Sequence, residues 1–131
     1  MLDDRDRDGC QALSVGCRSV LATLSPAQRA VMLQVISDRT PGLASFLCRD
    51  LRDRALRGMV EHSSQTSISA TAKWVADDLA AYAVSAIGWL RDREHGLPDT
   101  AGDLRRLRFE ILSTNGGAPL SWRRILDIIE A

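Results

Sequence analysis

The sequence predicts an all-α fold, and three observations carry that reading. Ile68, Ala72, Val75, Leu79, Tyr82, Ala86 and Trp89 step by four and three residues alternately, which lays an apolar stripe along one face of an α-helix. Helix-starting and helix-stopping signals punctuate the rest of the chain at helical intervals. No period-two alternation of useful length and no internal repeat interrupts them.

Each element follows from its own residues. Residues 1–9, Met-Leu-Asp-Asp-Arg-Asp-Arg-Asp-Gly, read as a flexible charged lead-in, and residues 10–131 as a single helical domain. Leu13, Cys17, Val20 and Leu24 mark a short first helix. Ser25-Pro26-x-Gln28 is a capping box, with Val31, Met32, Val35 and Ile36 as the buried face of the helix it opens. Thr40-Pro41 ends that helix and starts a third, with Leu43, Phe46, Leu47, Leu51, Ala55 and Met59 inward. Arg49, Arg52, Arg54 and Arg57 alternate there with Asp50 and Asp53 as a charged outer face.

Residues 62–67 are polar and aperiodic, the best candidate for a long loop. The long central helix follows over 68–95. Ala76, Ala83, Ile87 and Leu90 widen its stripe, so that it is buried on most sides. Gly96 supplies a left-handed cap and Pro98 forbids continuation. Thr100-x-x-Asp103 resembles a capping box for a fifth helix carrying Leu104, Leu107 and Ile111 to Asn115-Gly116-Gly117. Ser121 caps a terminal helix, Leu120 staples onto Ile125, and Trp122, Ile125, Leu126 and Ile129 form its apolar face. The sum is a compact bundle of about six helices. A continuous 68–95 helix is ~42 Å long at 1.5 Å per residue, against a diameter of roughly 36 Å for a domain of this length. It therefore spans the body, protrudes towards a partner, or is broken near its middle.

Apolar residues make up 45% of the 131 and charged residues 26%, an ordinary globular balance. With 17 basic against 17 acidic side chains, net charge provides no long-range steering towards nucleic acid or anionic membrane. Lys73 is the only lysine, a bias that fits a GC-rich coding sequence of bacterial or phage type. No segment reaches the roughly 18 uninterrupted apolar residues of a membrane span. The charged N-terminus is not a secretory signal, so the expected location is cytoplasmic, with Cys10, Cys17 and Cys48 as reduced thiols.

Motif by motif, chemistry recedes. Asp4-x-Asp6-x-Asp8-Gly9 copies half of a calcium loop, but the twelfth position is Val15 and not a bidentate Glu. The segment 75–90 shares features with a helix-turn-helix, yet its turn glycine is Ala80 and its base-reading positions hold Ser85, Ala86 and Gly88. The 104–129 segment resembles the opening of a winged helix whose recognition helix would begin beyond Ala131. No catalytic, metal or cofactor motif is present, and His62 and His95 lie at predicted element ends.

One face of the central helix stands out. Ala81, Ser85 and Gly88 form a row of small residues, with Val84 beside them and Trp74 further along. Small side chains let another backbone approach, so these five are the candidate partner interface, filled by a helix of this chain or of a second copy. The expected function is that of a non-enzymatic protein-binding regulator, inhibitor or adaptor, with a homodimer as one form. The alternative is a helix-turn-helix-like DNA-binding regulator, with Arg91, Arg93, Arg123 and Arg124 as phosphate contacts.

Overall fold

The computed structural model describes residues 23–131. The expected charged lead-in, the short first helix, the Asp4–Asp8 motif, Cys10 and Cys17 all lie outside the described residues. The rest is helical: α1 (Pro26–Arg39), α2 (Pro41–Val60), α3 (Ile68–Ala83), α4 (Trp89–His95), α5 (Asp103–Thr114) and α6 (Trp122–Glu130). No strand occurs among the described residues, and no helix there is long and apolar enough to cross a membrane. The chain gathers into two compact units divided within α2, between Leu51 and Arg52.

The first unit begins at the capping box. The Gln28 N–H donates to Ser25 Oγ at 3.2 Å while the Ser25 N–H donates to Gln28 Oε1 at 2.9 Å, so both partners satisfy an orphan donor. Leu47 and Leu51 are buried here against Leu24, Leu33, Ile36 and Leu43. The α1 face differs from expectation. Val31, Met32 and Val35 are exposed, and Leu33 joins Ile36 on the packed side. Apolar residues occupy two adjoining sides of α1, and the packing against α2 chooses the side that carries Leu33.

The second unit, Arg52–Ala131, is built on a core of Leu56, Met59, Val75, Leu79, Ile111, Leu120, Ile125 and Ile128, with Ala55 and Ala72 filling between them. Ser67 caps α3 by accepting from the Ala70 N–H at 3.1 Å, and Ser121 caps α6 by accepting from the Arg124 N–H at 3.3 Å. Leu120 and Ile125 are both buried in that core, as the staple requires. Arg52 departs from the expected outer face. It is buried, pairs with Asp53 at 2.9 Å, and donates to Asn115 Oδ1 at 3.2 Å, which fastens α2 to the loop after α5. Asp103 also departs, because α5 starts two residues later than a Thr100 capping box needs: Asp103 is its first residue and the N-cap is Gly102, with no side-chain cap bond.

The central segment takes the third of the three outcomes its length allowed. It is broken, with α3 ending at Ala83 and α4 beginning at Trp89. Of the expected stripe, Ala72, Val75, Leu79, Tyr82 and Trp89 are buried, whereas Ile68 and Ala86 are exposed. Over ten residues a continuous helix rises ~15 Å. Yet the Tyr82 hydroxyl donates to Asp92 Oδ2 at 2.7 Å. The break folds α4 back to make that bond, and it carries Trp89 into a second core cluster with Tyr82, Phe109 and Leu112. The Trp89 ring centroid lies 6.4 Å from that of Tyr82 and 5.7 Å from that of Phe109, both tilted, within the favoured range for aromatic pairs. At the far end Gly96 takes φ 77° and ψ 166°, a positive φ but not the left-handed helical cap expected, and its N–H donates to Asp92 O at 2.8 Å.

Candidate binding cleft

The last turn of α3, the 84–88 turn and the inner face of α5 enclose an open cleft of ≈ 320 Å³, all within the second unit. One wall is α3, whose helical spacing places Asp78, Ala81, Tyr82 and the following Ser85 on a common side. The opposite wall is α5, where Arg105 and Arg108 stand three residues apart on one face. Ile87 and Gly88 close the end.

Two arginine–carboxylate forks brace the cleft, one joining α5 to α3 and the other joining α5 to α4. Arg108 donates from Nε and Nη2 to Asp78 at 2.6 and 2.8 Å. Arg105 donates from Nε and Nη2 to Asp92 at 3.0 and 2.7 Å, and its Nη2 also reaches the Ile87 carbonyl at 2.9 Å. Such paired, charge-assisted bonds are short and direction-specific. Asp92 is wholly buried beneath the cleft, and it accepts further from Tyr82 and from Arg91 Nη1 at 3.1 Å. Burial pushes its carboxyl up, but the bonds from Arg105, Tyr82 and Arg91 outweigh that and hold it below the ordinary carboxylate value. The same bonds act in reverse on the donors. Burial and the neighbouring Asp92 carboxylate raise the Tyr82 phenol, and the hydrogen bond to Asp92 raises the Arg105 guanidinium. At neutral pH Asp92 is therefore ionised, Tyr82 is a neutral phenol and Arg105 is charged.

The expected interface residues separate. Ala81, Ser85 and Gly88 line the cleft, although Ser85 and Gly88 sit in the turn and not on a helix. Val84 lies beside them and is 77% exposed. Trp74 packs against the main core instead. A side chain at Gly88 would place its Cβ 3.0 Å from both the Tyr82 ring and Ser85 Cβ, so the close approach is within this chain. Gly88→Ala should accordingly destabilise the fold, and Gly88→Leu more so, by about 1–3 kcal/mol of overpacking. The mass in light scattering should stay constant while the melting temperature falls; a parental melting temperature for Gly88→Leu would contradict the contact.

The four candidate phosphate contacts do not join the cleft. Arg91 engages Asp92, and Arg93 is exposed in the last turn of α4. On α6, Arg123 lies over the Trp122 ring at 5.5 Å and Arg124 is exposed, while Lys73 reaches the same ring from α3 at 4.8 Å. His62 and His95 are exposed, and among the described residues no three His, Cys, Asp or Glu gather as a metal cluster.

Asp78, Asp92, Arg105 and Arg108 escaped sequence reasoning. One signal for Asp92 was present: it stands three residues past Trp89, on the continuation of the apolar stripe, where a charge needs a partner. Arg105 and Arg108 carried no such mark, because surface arginines on α5 read the same way. No family model matches the chain, and no curated protein or solved structure matches it.

Proposed function

We propose that this chain is a non-enzymatic protein-binding regulator, inhibitor or adaptor that docks its partner at the cleft between α3 and α5. One observation carries the reading: Val84, Ile87 and Leu90 are 77%, 79% and 39% exposed within one seven-residue stretch, and Ile87 itself lines the cleft. Large aliphatic side chains grouped on the surface beside polar groups are the composition of a protein-docking patch. The DNA-binding alternative has less support, since Arg91 is engaged by Asp92 and net charge is zero. A cytoplasmic setting belongs to the same proposal.

Ile87→Asp tests it. Proteins recovered with the tagged chain from extracts of its source should be purified and titrated against parent and variant. The Ile87 side chain is exposed, so the variant should keep the parental melting temperature. It should bind the true partner at least about tenfold more weakly, a loss of roughly 1.4 kcal/mol. If every recovered protein binds the variant as tightly as the parent, the docking surface lies elsewhere.

A further inference from the structure

Each guanidinium carries five N–H donors. The Arg108 fork onto Asp78 takes up two of them, and the Arg105 bonds to Asp92 and Ile87 take up three. The Nη1 groups of both side chains lie outside these bonds. Arg105 and Arg108 both line the cleft, and their side chains keep 30% and 25% exposure. The site thus has spare, rigidly held donors on two guanidiniums whose forks are already anchored.

The charges favour an anion of low valence. Asp78 is neutralised by its fork, and Asp92 is sealed from solvent beneath Arg105. Counting Arg91 on the outer side of Asp92, the group holds three cations against two carboxylates and so retains one positive charge. A dianion would meet the Asp78 carboxylate on the cleft wall with only that single surplus charge to offset it. The rest of the lining is Ala81, Tyr82, Ser85, Ile87 and Gly88, a mostly apolar set that suits an aliphatic group beside the anion.

We infer that the cleft takes a carboxylate side chain of the partner protein seated beside an aliphatic one. The carboxylate rests on the free N–H edges of Arg105 and Arg108, and the aliphatic group rests against Tyr82, Ala81 and Ile87. This inference rests on the protein-docking reading and deepens it.

The test uses blocked helical alanine-based peptides carrying one leucine and, a turn away, Glu, Gln or Lys, titrated into the full chain by calorimetry. The Glu peptide should bind at least about tenfold tighter than the Gln or Lys peptide, with the preference shrinking as salt rises. The Asp78→Asn/Arg108→Gln double variant removes the fork without leaving a lone charge, and it should abolish the preference. Arg108→Lys, which keeps the charge but loses the planar fork, should retain only part of it. Equal binding of the Glu and Gln peptides, binding of none of the three, or a preference that survives in a folded double variant overturns the carboxylate anchor. In those cases the Ile87→Asp result on the native partner still decides separately whether the cleft mouth docks protein.

Discussion

Asp92→Asn should lower the stability of the chain by about 3 kcal/mol, the range for removing one partner of a buried ion pair. Asn has the same shape, but it replaces a carboxylate oxygen with an amide that is itself a donor. Tyr82 Oη at 2.7 Å, Arg105 Nε and Nη2 at 3.0 and 2.7 Å and Arg91 Nη1 at 3.1 Å all converge on that carboxylate. The variant leaves Arg105 without its countercharge and at least one donor facing another donor. Partial exposure of Arg105 keeps the loss at the low end of that range. The urea midpoint measures it, with near-UV circular dichroism reporting whether the aromatic cluster of Tyr82, Trp89 and Phe109 stays ordered.

The same substitution should flatten the acid limb of the stability profile. The folded-state pKa of Asp92 lies below its ordinary value of 3.8, so the unfolded chain takes up the proton first. The carboxylate's contribution is therefore complete above about pH 4–5 and drains away as pH falls through the folded-state value. The parent should lose stability more steeply than Asp92→Asn below about pH 4. Parallel acid limbs together with an unchanged midpoint would mean that the Asp92 knot does not hold α4 to α3 and α5.

Leu79→Ala should cost roughly 2–5 kcal/mol, since it combines lost transfer free energy with a cavity. Leu79 is wholly buried among residues of α2, α3, α5 and α6. Val84→Ala supplies the contrast five residues along: at 77% exposure it should change stability by no more than about 0.5 kcal/mol. A urea midpoint for Leu79→Ala within error of the parent would refute the burial of this residue. A large loss for Val84→Ala would show that the 84–88 turn is covered and not open.

Several local features were readable directly from the residues. The Ser25–Gln28 box, the Ser121 cap, the Leu120–Ile125 staple and the helix stop at Gly96 all appear where their spacing puts them. Each depends on partners within a few positions, so a sequence window contains the whole interaction. The buried stripe through Ala72, Val75, Leu79 and Tyr82 was equally plain, because helical periodicity is itself local. The number of helices expected, about six, matches the number described, but the route differs: the expected first helix lies outside the described residues, and the break at 84–88 adds another.

The length of the 68–95 segment allowed a break as one of three outcomes, but neither the choice among them nor the cleft the break opens could be read from the chain. The apolar spacing runs through 84–90 without interruption, so local preference alone continues the helix. What stops it is an interaction between distant positions. Asp92 must reach Tyr82 and Arg105, ten and 13 residues away, and Trp89 must reach Phe109. The Asp78–Arg108 fork spans 30 residues and the Arg52–Asn115 bond 63. By itself, then, the sequence determined the helical class, the caps and the α3 core face, because backbone bonds and caps close within about one turn. Only the tertiary structure decided which side of α1 is packed, where the central helix folds back and which arginines line the cleft. Those choices turn on buried charges finding partners and apolar faces finding neighbours, and a single helix contains neither.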